Sequence, residues 1–209
     1  MKNQTSSPRV QRNREAATQA ILNAARAIMR EEGVAALSMQ ELARRLEMRA
    51  PSLYYYFSSK AEIYDTLFRL GFTMFDAHIK DLMQTSKGLH DELRINIEGY
   101  MSFALENPDL YQLCFERPVP GFVPSEESLA LSFGILNQSY QRADQFKKQL
   151  NTKLTGQQIV DTVIAISHGL TAMHLANEPN LPIGQGRFGS LIPVVLSILE
   201  KAMPIQGES

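Results

Sequence analysis

The stretch "SMQELARRLEMRAPSLYYYFSSK", residues 38–60, decides the fold because it has the pattern of two short helices separated by a break. Ser38 and Glu41 have the spacing of a capping box, in which each side chain accepts a hydrogen bond from the other residue's backbone N–H. Pro51 suits the first turn of the second helix, because its missing N–H has no helical partner there. The stretch therefore predicts a helix-turn-helix.

Three adjacent tyrosines in the second helix indicate which of its sides faces outward. At 100° per residue, Leu53 and Phe57 share one face and can pack on the preceding helix, whereas Tyr55 points to the opposite side. Adjacent phenols are unfavourable inside a protein, because each hydroxyl needs a hydrogen-bond partner. We therefore predict that Tyr54 and Tyr55 face a partner, as the second helix of a helix-turn-helix faces the major groove. The alternative is an aromatic patch that packs on another helix of the chain.

Charge is unevenly distributed along the 209 residues, although the net charge is only -1. Residues 1–60 contain ten Lys and Arg against five Asp and Glu, whereas residues 61–209 contain eleven against seventeen. A basic N-terminal part on an acidic remainder favours a polyanionic partner for the N-terminal part. Chance clustering of charges is the alternative.

The composition is that of an ordinary soluble protein with a sizeable core, at 44% apolar and 21% charged residues. Cys114 is the single cysteine, so no disulfide can form within one chain. Residues 1–11 are polar and predict a disordered tail rather than a secretory signal. The most apolar run, Leu191 to Leu199, is too short to span a bilayer. These features predict a cytoplasmic protein with no membrane partner.

The hydrophobic periodicity is helical nearly throughout the chain, and no period-2 run of useful length occurs. Helices are predicted at about 12–32, 38–46, 51–57, 59–84, 90–106, 107–116, 125–150, 155–177 and 187–203. The Pro- and Gly-rich segment "RPVPGFVP", residues 117–124, predicts a rigid loop, and Thr155 opens a second capping box. We expect an all-α fold with an N-terminal three-helix domain at 12–60 and a larger helical domain at 61–209.

Residues 37–68, "LSMQELARRLEMRAPSLYYYFSSKAEIYDTLF", closely resemble the DNA-binding signature of the TetR/AcrR family of bacterial transcriptional repressors. The shared features are a Ser-capped second helix, a Leu-Tyr pair, an aromatic-rich helix end and a Ser-Lys pair that opens the fourth helix. Two positions depart from the family pattern, because Glu47 stands where glycine is usual and Tyr56 where histidine is frequent. If Glu47 adopts a positive φ, its side chain costs on the order of 1 kcal/mol.

The resemblance implies a set of residues that contact a double-stranded DNA operator. They are Ser38, Gln40, Arg49, Ala50, Pro51, Ser52, Tyr54, Tyr55 and Lys60. By resemblance, Ser38 and Lys60 contact phosphates, Gln40 reaches a base edge, and Pro51 suits a thymine methyl group. The arginines within residues 9–14 are compatible with contact to adjacent DNA, and equally with a solvated tail.

The resemblance also implies that residues from about 70 onward bind a small-molecule effector and hold a homodimer. Apolar and aromatic side chains there, with a few polar ones, are candidates for the effector site. They are Met101, Phe103, Tyr111, Phe115, Phe133, Tyr140, His168 and Met173. Because few charges interrupt these helices, an apolar or aromatic effector is expected. Plain core packing remains the alternative for each of them.

The segment "AISHGLTAMHLAN", residues 165–177, is similar to a C-terminal domain type of this family that is marked by Trp-His-Gly. Ser167 takes the place of the tryptophan, and His168 with Gly169 remain. His168 and His174 are six residues apart and do not share a helix face, so no metal site is predicted. A lone histidine in an apolar helix is more often a core residue than a ligand.

Taken together, the pattern predicts a ligand-responsive repressor that binds a palindromic operator as a dimer. No cofactor is expected, and an enzyme is disfavoured because the sequence lacks a GxSxG elbow, a phosphate-binding glycine loop and an HExxH motif. The alternative is an oligomeric scaffold whose basic N-terminal part binds nucleic acid without sequence preference.

Overall fold

The computed structural model describes residues 8–206, and most of these residues are helical. The helices are α1 (Pro8–Glu32), α2 (Met39–Arg45), α3 (Ala50–Tyr54), α4 (Lys60–Met83), α5 (Leu89–Glu106), α6 (Pro108–Tyr111), α7 (Glu126–Lys147), α8 (Gly156–Asn177), α9 (Gly186–Gly189) and α10 (Ile192–Ala202). A 3₁₀ turn, Val34–Ala36, follows α1, and a π-helical turn, Gln112–Glu116, follows α6. The described residues form no strand, which confirms the predicted all-α fold.

Three helix boundaries differ most from the sequence-based expectation. Helix α3 ends at Tyr54, so Tyr55 is its C-terminal cap and Phe57 lies just beyond it. Helix α1 already begins at Pro8, because proline fits the first helical turn, so residues 8–11 of the expected tail are helical. The remainder of that tail, residues 1–7, lies outside the described residues. The expected last helix divides into α9 and α10, since Pro193 lacks the N–H that a continuous helix needs and instead occupies the first turn of α10.

The chain folds into two compact units that interleave along the sequence. The first unit contains the described residues up to Gly71 together with Asp109–Ser128, and the second contains Phe72–Pro108 and residues 129–206. The sequence pattern placed a single boundary near residue 60. Residues 109–128 return to the N-terminal helices through contacts that no local pattern reveals.

The core of the first unit is the packed stripe of α1 against the two short helices. Ile21, Ala25 and Ile28 on α1 are fully buried, and so is Leu53 on α3. Each buried aliphatic side chain of this kind stabilises the fold by about 1.5–3 kcal/mol relative to exposure. The buried Tyr64 hydroxyl donates to the Val34 carbonyl at 2.7 Å and thereby anchors the 3₁₀ turn to α4.

Residues 109–128, the returning segment of the first unit, are attached to α1 through a buried carboxylate. Arg26 Nε lies 2.6 Å from Asp109 Oδ2, and Arg30 Nε lies 2.8 Å from Asp109 Oδ1. Burial by itself raises the pKa of Asp109, but hydrogen bonds from both arginines outweigh it and leave that pKa below its ordinary value. The ionised carboxylate therefore ties the start of α6 to α1.

A close approach at a glycine fixes a second part of the same segment. A Cβ atom at Gly71 would lie 2.5 Å from Cys114 Sγ, so only glycine lets the π-helical turn pack this near to α4. The Cys114 thiol contacts the Phe68 carbonyl at 3.6 Å. Beyond the loop, the Asp65 carboxylate accepts from the Ser125 backbone N–H at 2.7 Å. Ser125 in turn caps α7 by accepting from the Ser128 N–H.

In the second unit, α5 packs along α8, with α10 against α5. The predicted capping box at the start of α8 is confirmed, because the Thr155 hydroxyl accepts from the Gln158 N–H and the Gln158 side chain accepts from the Thr155 N–H. Helix α8 is the one helix in residues 8–206 long and apolar enough to cross a membrane by composition. Its contacts with α5 and its buried Val163 and Leu170 show that one face of α8 packs in the core of the second unit.

Candidate nucleic-acid interface

The turn between α2 and α3 is a Schellman motif with glutamate at the left-handed position. The Met48 N–H donates to the Ala43 carbonyl at 2.9 Å, and the Glu47 N–H donates to the Arg44 carbonyl at 3.3 Å. Glu47 has a φ of 52°, which is the conformation that normally favours glycine. Glu47 therefore does adopt the positive φ at which a side chain is costly, and α3 leaves the turn in the geometry of a helix-turn-helix.

The cap of α2 forms as predicted on one side only. The Ser38 hydroxyl accepts from the Glu41 N–H at 3.2 Å. The reciprocal half of the predicted capping box is wrong, because the Glu41 carboxylate turns to Arg44 at 2.6 Å and Arg45 at 2.8 Å. Two charge-assisted hydrogen bonds outcompete one neutral backbone donor. They also lower the pKa of Glu41 to about 2, so Glu41 stays ionised.

Helix α3 presents its tyrosines outward, as predicted from its periodicity. Leu53 is fully buried and Phe57 is 4% exposed, whereas Tyr54 is 51% exposed and Tyr55 is 70% exposed. The inner face therefore packs the helix on the core, and the outer face is left accessible to a partner. An aromatic patch sealed within this unit is excluded for Tyr54 and Tyr55.

The other predicted DNA-contacting residues lie at the N-terminal ends of α2, α3 and α4. Gln40, Arg49, Pro51, Ser52 and Lys60 are exposed, while Ser38 and Ala50 are partly buried. Arg49 lies at the N-terminal cap of α3, and its carbonyl accepts from the Ser52 N–H at 2.9 Å. Most of the predicted residues are thus accessible to a partner, which is a requirement for the predicted DNA contact.

Cations in this unit fall into two groups according to whether a carboxylate neutralises them. Arg44 pairs with Glu41, and Arg45 pairs with Glu31, Glu32 and Glu41. The ion pairs formed within residues 8–206 do not include Arg49 or Lys60. The charge of Arg44 is therefore already matched by Glu41 within the unit.

The residues predicted for an effector site do not form one group. Tyr111 and Phe115 lie in the first unit, with ring centroids 5.8 Å apart. In the second unit, Met101 is fully buried in the apolar core, while Phe133 and Met173 are 57% and 46% exposed in the single chain. Burial raises the pKa of Tyr111, and the neighbouring Glu116 carboxylate raises it further, so its phenol stays protonated.

Two of the predicted effector residues belong to an aromatic–imidazole cluster in the second unit, consisting of Phe75, His78, Tyr100, Phe103 and His168. The Tyr100 hydroxyl lies 3.1 Å from His168 Nδ1. The Phe75 ring stacks edge-on with Tyr100 at 5.6 Å and with Phe103 at 5.3 Å. The cluster joins α4, α5 and α8 and combines apolar rings with a polar pair.

Sequence reasoning missed three members of this cluster. Phe75 and His78 lie one turn apart on α4, and His78 Nε2 lies 2.7 Å from the Ser102 hydroxyl. The Ser102 hydroxyl also lies 3.0 Å from the Gly99 carbonyl of its own helix, so Ser102 connects His78 to the backbone of α5. The aromatic spacing on α4 was a usable signal, but nothing local linked it to Tyr100.

Tyr140 has a structural partner within the second unit. Its hydroxyl donates to Asp161 Oδ1 at 2.8 Å and thereby connects α7 with α8. This hydrogen bond raises the pKa of Tyr140, because an ionised phenol could not donate it. Within residues 8–206, no group of three or more His, Cys, Asp or Glu residues has the arrangement of a metal site.

Residues 21–67 match the model of the family "Bacterial regulatory proteins, tetR family". The transcriptional activator FasR of Mycolicibacterium smegmatis is 28% identical over 97 residues, which are 46% of this chain and 44% of FasR. The aligned part thus spans less than half the length of that relative.

Solved structures share the fold over nearly the whole chain. A protein of unknown function from Rhodococcus sp. RHA1 has a TM-score of 0.74 at 16% identity, covering 89% of this chain and 94% of the other. FadR from Bacillus subtilis, solved in complex with stearoyl-CoA, has a TM-score of 0.65 at 15% identity, covering 88% of this chain and 98% of FadR. Together with the helix-turn-helix geometry, the match over residues 21–67 shows that this part of the chain is similar to the DNA-binding part of the TetR family of bacterial regulatory proteins.

Proposed function

We propose that the protein is a ligand-responsive repressor that binds a palindromic operator on double-stranded DNA as a homodimer. The observation that carries this proposal is the division of α3 into a sealed inner face and an open outer face. Leu53 and Phe57 are buried, whereas Tyr54 and Tyr55 are 51% and 70% exposed. A helix held in this way can enter the major groove without any change to the core beneath it.

The charges beside α3 support a DNA partner. Arg49 and Lys60 are exposed and have no carboxylate partner among the ion pairs of residues 8–206. Such cations can neutralise phosphates and release counterions, which supplies much of the affinity for DNA. Lys60 Nζ also lies 5.7 Å from the centroid of the buried Tyr64 ring, so its stem is positioned at the start of α4.

An exposed apolar stripe on the C-terminal helix supports the homodimer. Leu191, Val194 and Ile198 follow the i, i+3, i+7 spacing of one helix face and are 39%, 53% and 59% exposed in the single chain. The opposite face of α10 buries Ile192 and Leu199 in the core. A second copy that covers the stripe would form a two-fold dimer, and two reading helices about 34 Å apart would match a palindrome.

The effector that we propose is a small molecule with a large apolar or aromatic part. The aromatic–imidazole cluster offers ring faces and, in Tyr100 with His168, a polar pair that can orient a ligand. FadR, which shares the fold, was solved with stearoyl-CoA, a long apolar chain on a polar head. Binding that favours a dimer with the wrong spacing of reading helices would lower operator affinity.

The decisive experiment is selection of bound sequences from random duplex DNA, repeated in the presence of long-chain acyl-CoA esters, free fatty acids and aromatic compounds. A regulator should enrich a palindrome and prefer it to bulk DNA by at least about a thousandfold. An effector should release the enriched duplex. Equal competition by bulk DNA would instead support a scaffold that binds nucleic acid without sequence preference.

The direction of regulation needs a separate measurement, since FasR is named an activator. A reporter gene placed behind the selected operator should be silenced by the protein and restored by the effector. Rising expression on addition of the protein would contradict repression while leaving operator binding intact.

The role of the cluster in effector binding can be tested at His168. His168→Ala removes the partner of the Tyr100 hydroxyl and should raise the effector concentration needed for release by roughly tenfold, about 1.4 kcal/mol of binding energy. Operator affinity without effector should stay the same. An unchanged effector response would exclude the Tyr100–His168 pair from the site.

A further inference from the structure

The N-terminal part of α1 extends well beyond the core that it helps to build. The first buried residue of α1 is Ile21, thirteen positions after the helix begins at Pro8. At 1.5 Å per residue this part is about 20 Å long. Residues 8–16 are exposed and contain three arginines against one glutamate, so they form a basic helical projection. Core packing gives no reason for it to be helical or basic.

One arginine of this projection is positioned by the reading helix. The Arg14 guanidinium carbon lies 5.8 Å from the centroid of the Tyr55 ring. The Tyr55 and Tyr56 rings pack edge to face, with their centroids 5.2 Å apart and an interplanar angle of 88°. Arg14 shares its helix side with the buried Ile21 and Ala25, seven and eleven residues on, so this side of α1 continues from the core toward α3. Tyr55, the C-terminal cap of α3 and the most exposed of the three tyrosines, is therefore in contact with a cation of α1.

The arginines of the projection differ from most others in the unit. Arg26 and Arg30 bind Asp109, while Arg44 and Arg45 bind glutamates. The ion pairs of residues 8–206 include no contact of Arg9, Arg12 or Arg14 with a carboxylate. A guanidinium stacked on a ring keeps its edge N–H groups free, and these groups match the oxygens of a phosphate.

From this arrangement we propose that Tyr55 is a positioning residue that holds Arg14 against the DNA backbone. Arg14 then adds a phosphate contact outside the groove that α3 occupies. This inference rests on the proposed function, because it needs a duplex on the outer face of α3. It gives Tyr55 a different task from Tyr54, since the ring of Tyr55 acts through an arginine and its hydroxyl is not required.

The test compares variants of the full chain in anisotropy titrations with the selected operator and with a random duplex of equal length, between about 50 and 200 mM salt. Arg14→Ala should weaken binding to both duplexes by roughly threefold to tenfold and reduce the salt slope by about one. Tyr55→Ala should weaken both by roughly twofold to fivefold. Tyr55→Phe, which keeps the ring, should bind like the unmodified protein.

Coupling between the two residues gives the sharpest readout. The double variant Arg14→Ala/Tyr55→Ala should bind no worse than Arg14→Ala alone, because the ring has nothing left to position. Additive losses, or a Tyr55→Phe variant as weak as Tyr55→Ala, would overturn the proposal in favour of a direct contact by Tyr55. Tyr55 is 70% exposed, so thermal melts should show that all variants fold alike.

A matched control lies in the second unit, where Arg187 stacks on Phe188 at 5.1 Å. Arg187→Ala removes the same charge and the same kind of contact and should leave the salt slope unchanged. If the unmodified protein binds operator and random duplex equally, the proposed function fails, yet the coupling of Arg14 and Tyr55 is still measurable on either duplex. If it prefers the operator but Arg14→Ala binds equally well, only this inference fails.

Discussion

The two units differ in how well their predicted residues come together. In the first unit, most of the residues predicted to contact DNA are exposed, with Tyr54 and Tyr55 on the side of the reading helix opposite the buried Leu53. In the second, the predicted effector residues range from the fully buried Met101 to the 57% exposed Phe133. The first group lies within 23 consecutive residues, from Ser38 to Lys60, whereas the second depends on packing between distant helices.

The interactions that specify the two groups of residues differ in the same way. A helix-turn-helix is specified by caps, a turn and an amphipathic period, which are local interactions that a short sequence must encode. Contacts between α4, α5 and α8 depend on how whole helices pack, and many side chains can satisfy that packing. Substitutions that break a specific contact in the first unit should therefore lower its stability strongly. Substitutions on the surface of the second unit should instead change how copies of the chain assemble.

The largest effect is expected at Asp109, the carboxylate that connects the returning segment to α1. Asp109→Asn leaves Arg26 and Arg30 facing a neutral amide and should destabilise the first unit by roughly 3 kcal/mol, because the mostly buried Arg26 loses its counter-charge and the two hydrogen-bonded pairs lose their charge. Chemical denaturation measures the loss. The matched control in the second unit is Asp76→Asn, which breaks an i, i+4 pair with Lys80 and should cost about 0.5 kcal/mol or less.

The pH dependence of Asp109 gives an independent reading of the same contact. The pKa of Asp109 is lowered in the folded protein, so its ionised form adds stability above the ordinary aspartate pKa of about 3.9. This stability is lost as the pH falls from there through the folded pKa. Asp109→Asn should flatten the acid side of the stability profile, and an equally steep profile would assign the acid sensitivity to other carboxylates.

The next largest effect is expected on the exposed stripe of α10. Ile198→Glu places a charge in the proposed dimer contact and should yield a folded monomer whose operator affinity is lower by roughly a hundredfold, about 2.7 kcal/mol. Sedimentation and operator titration measure the two outcomes. Ser197→Glu adds the same charge about 100° around the helix and should remain dimeric. If both variants stay dimeric and bind normally, the stripe is not the dimer contact.

Interactions between residues that are close in the sequence could be predicted, whereas interactions between distant residues could not. The α2–α3 turn, the outward tyrosines and the Thr155 cap depend on residues within a few positions of each other. The Arg26–Asp109 pair spans 83 residues and Tyr100–His168 spans 68, so no local pattern brought them together. Even within the motif, the choice of Glu41 between the Ser38 N–H and two arginines depended on side-chain geometry that the capping-box pattern does not contain.

A moderate effect is expected at two proposed DNA contacts, Tyr54 at the C-terminal end of α3 and Lys60 at the start of α4. Tyr54→Ala should weaken operator binding by roughly tenfold and leave stability unchanged, because the side chain is 51% exposed. Lys60→Ala should weaken binding to all duplexes alike and reduce the salt slope by about one. If Tyr54→Ala binds the operator with unchanged affinity, the outer face of α3 is not the reading face. If Lys60→Ala loses affinity only for duplexes with one particular base pair, Lys60 reads sequence and does not act through phosphates alone.

The smallest effect is expected at Glu47, where the sequence departs from the TetR-family pattern that it resembles and the backbone has a positive φ. Glu47→Gly removes the side chain from a residue with a φ of 52° and should stabilise the first unit by about 0.5–1 kcal/mol, after the higher chain entropy of unfolded glycine is subtracted. Glu47→Ala is the matched control, because it removes the carboxylate but keeps a Cβ atom at the same φ. A gain for glycine but not for alanine assigns the effect to the backbone, whereas equal gains would assign it to the negative charge beside the reading helix.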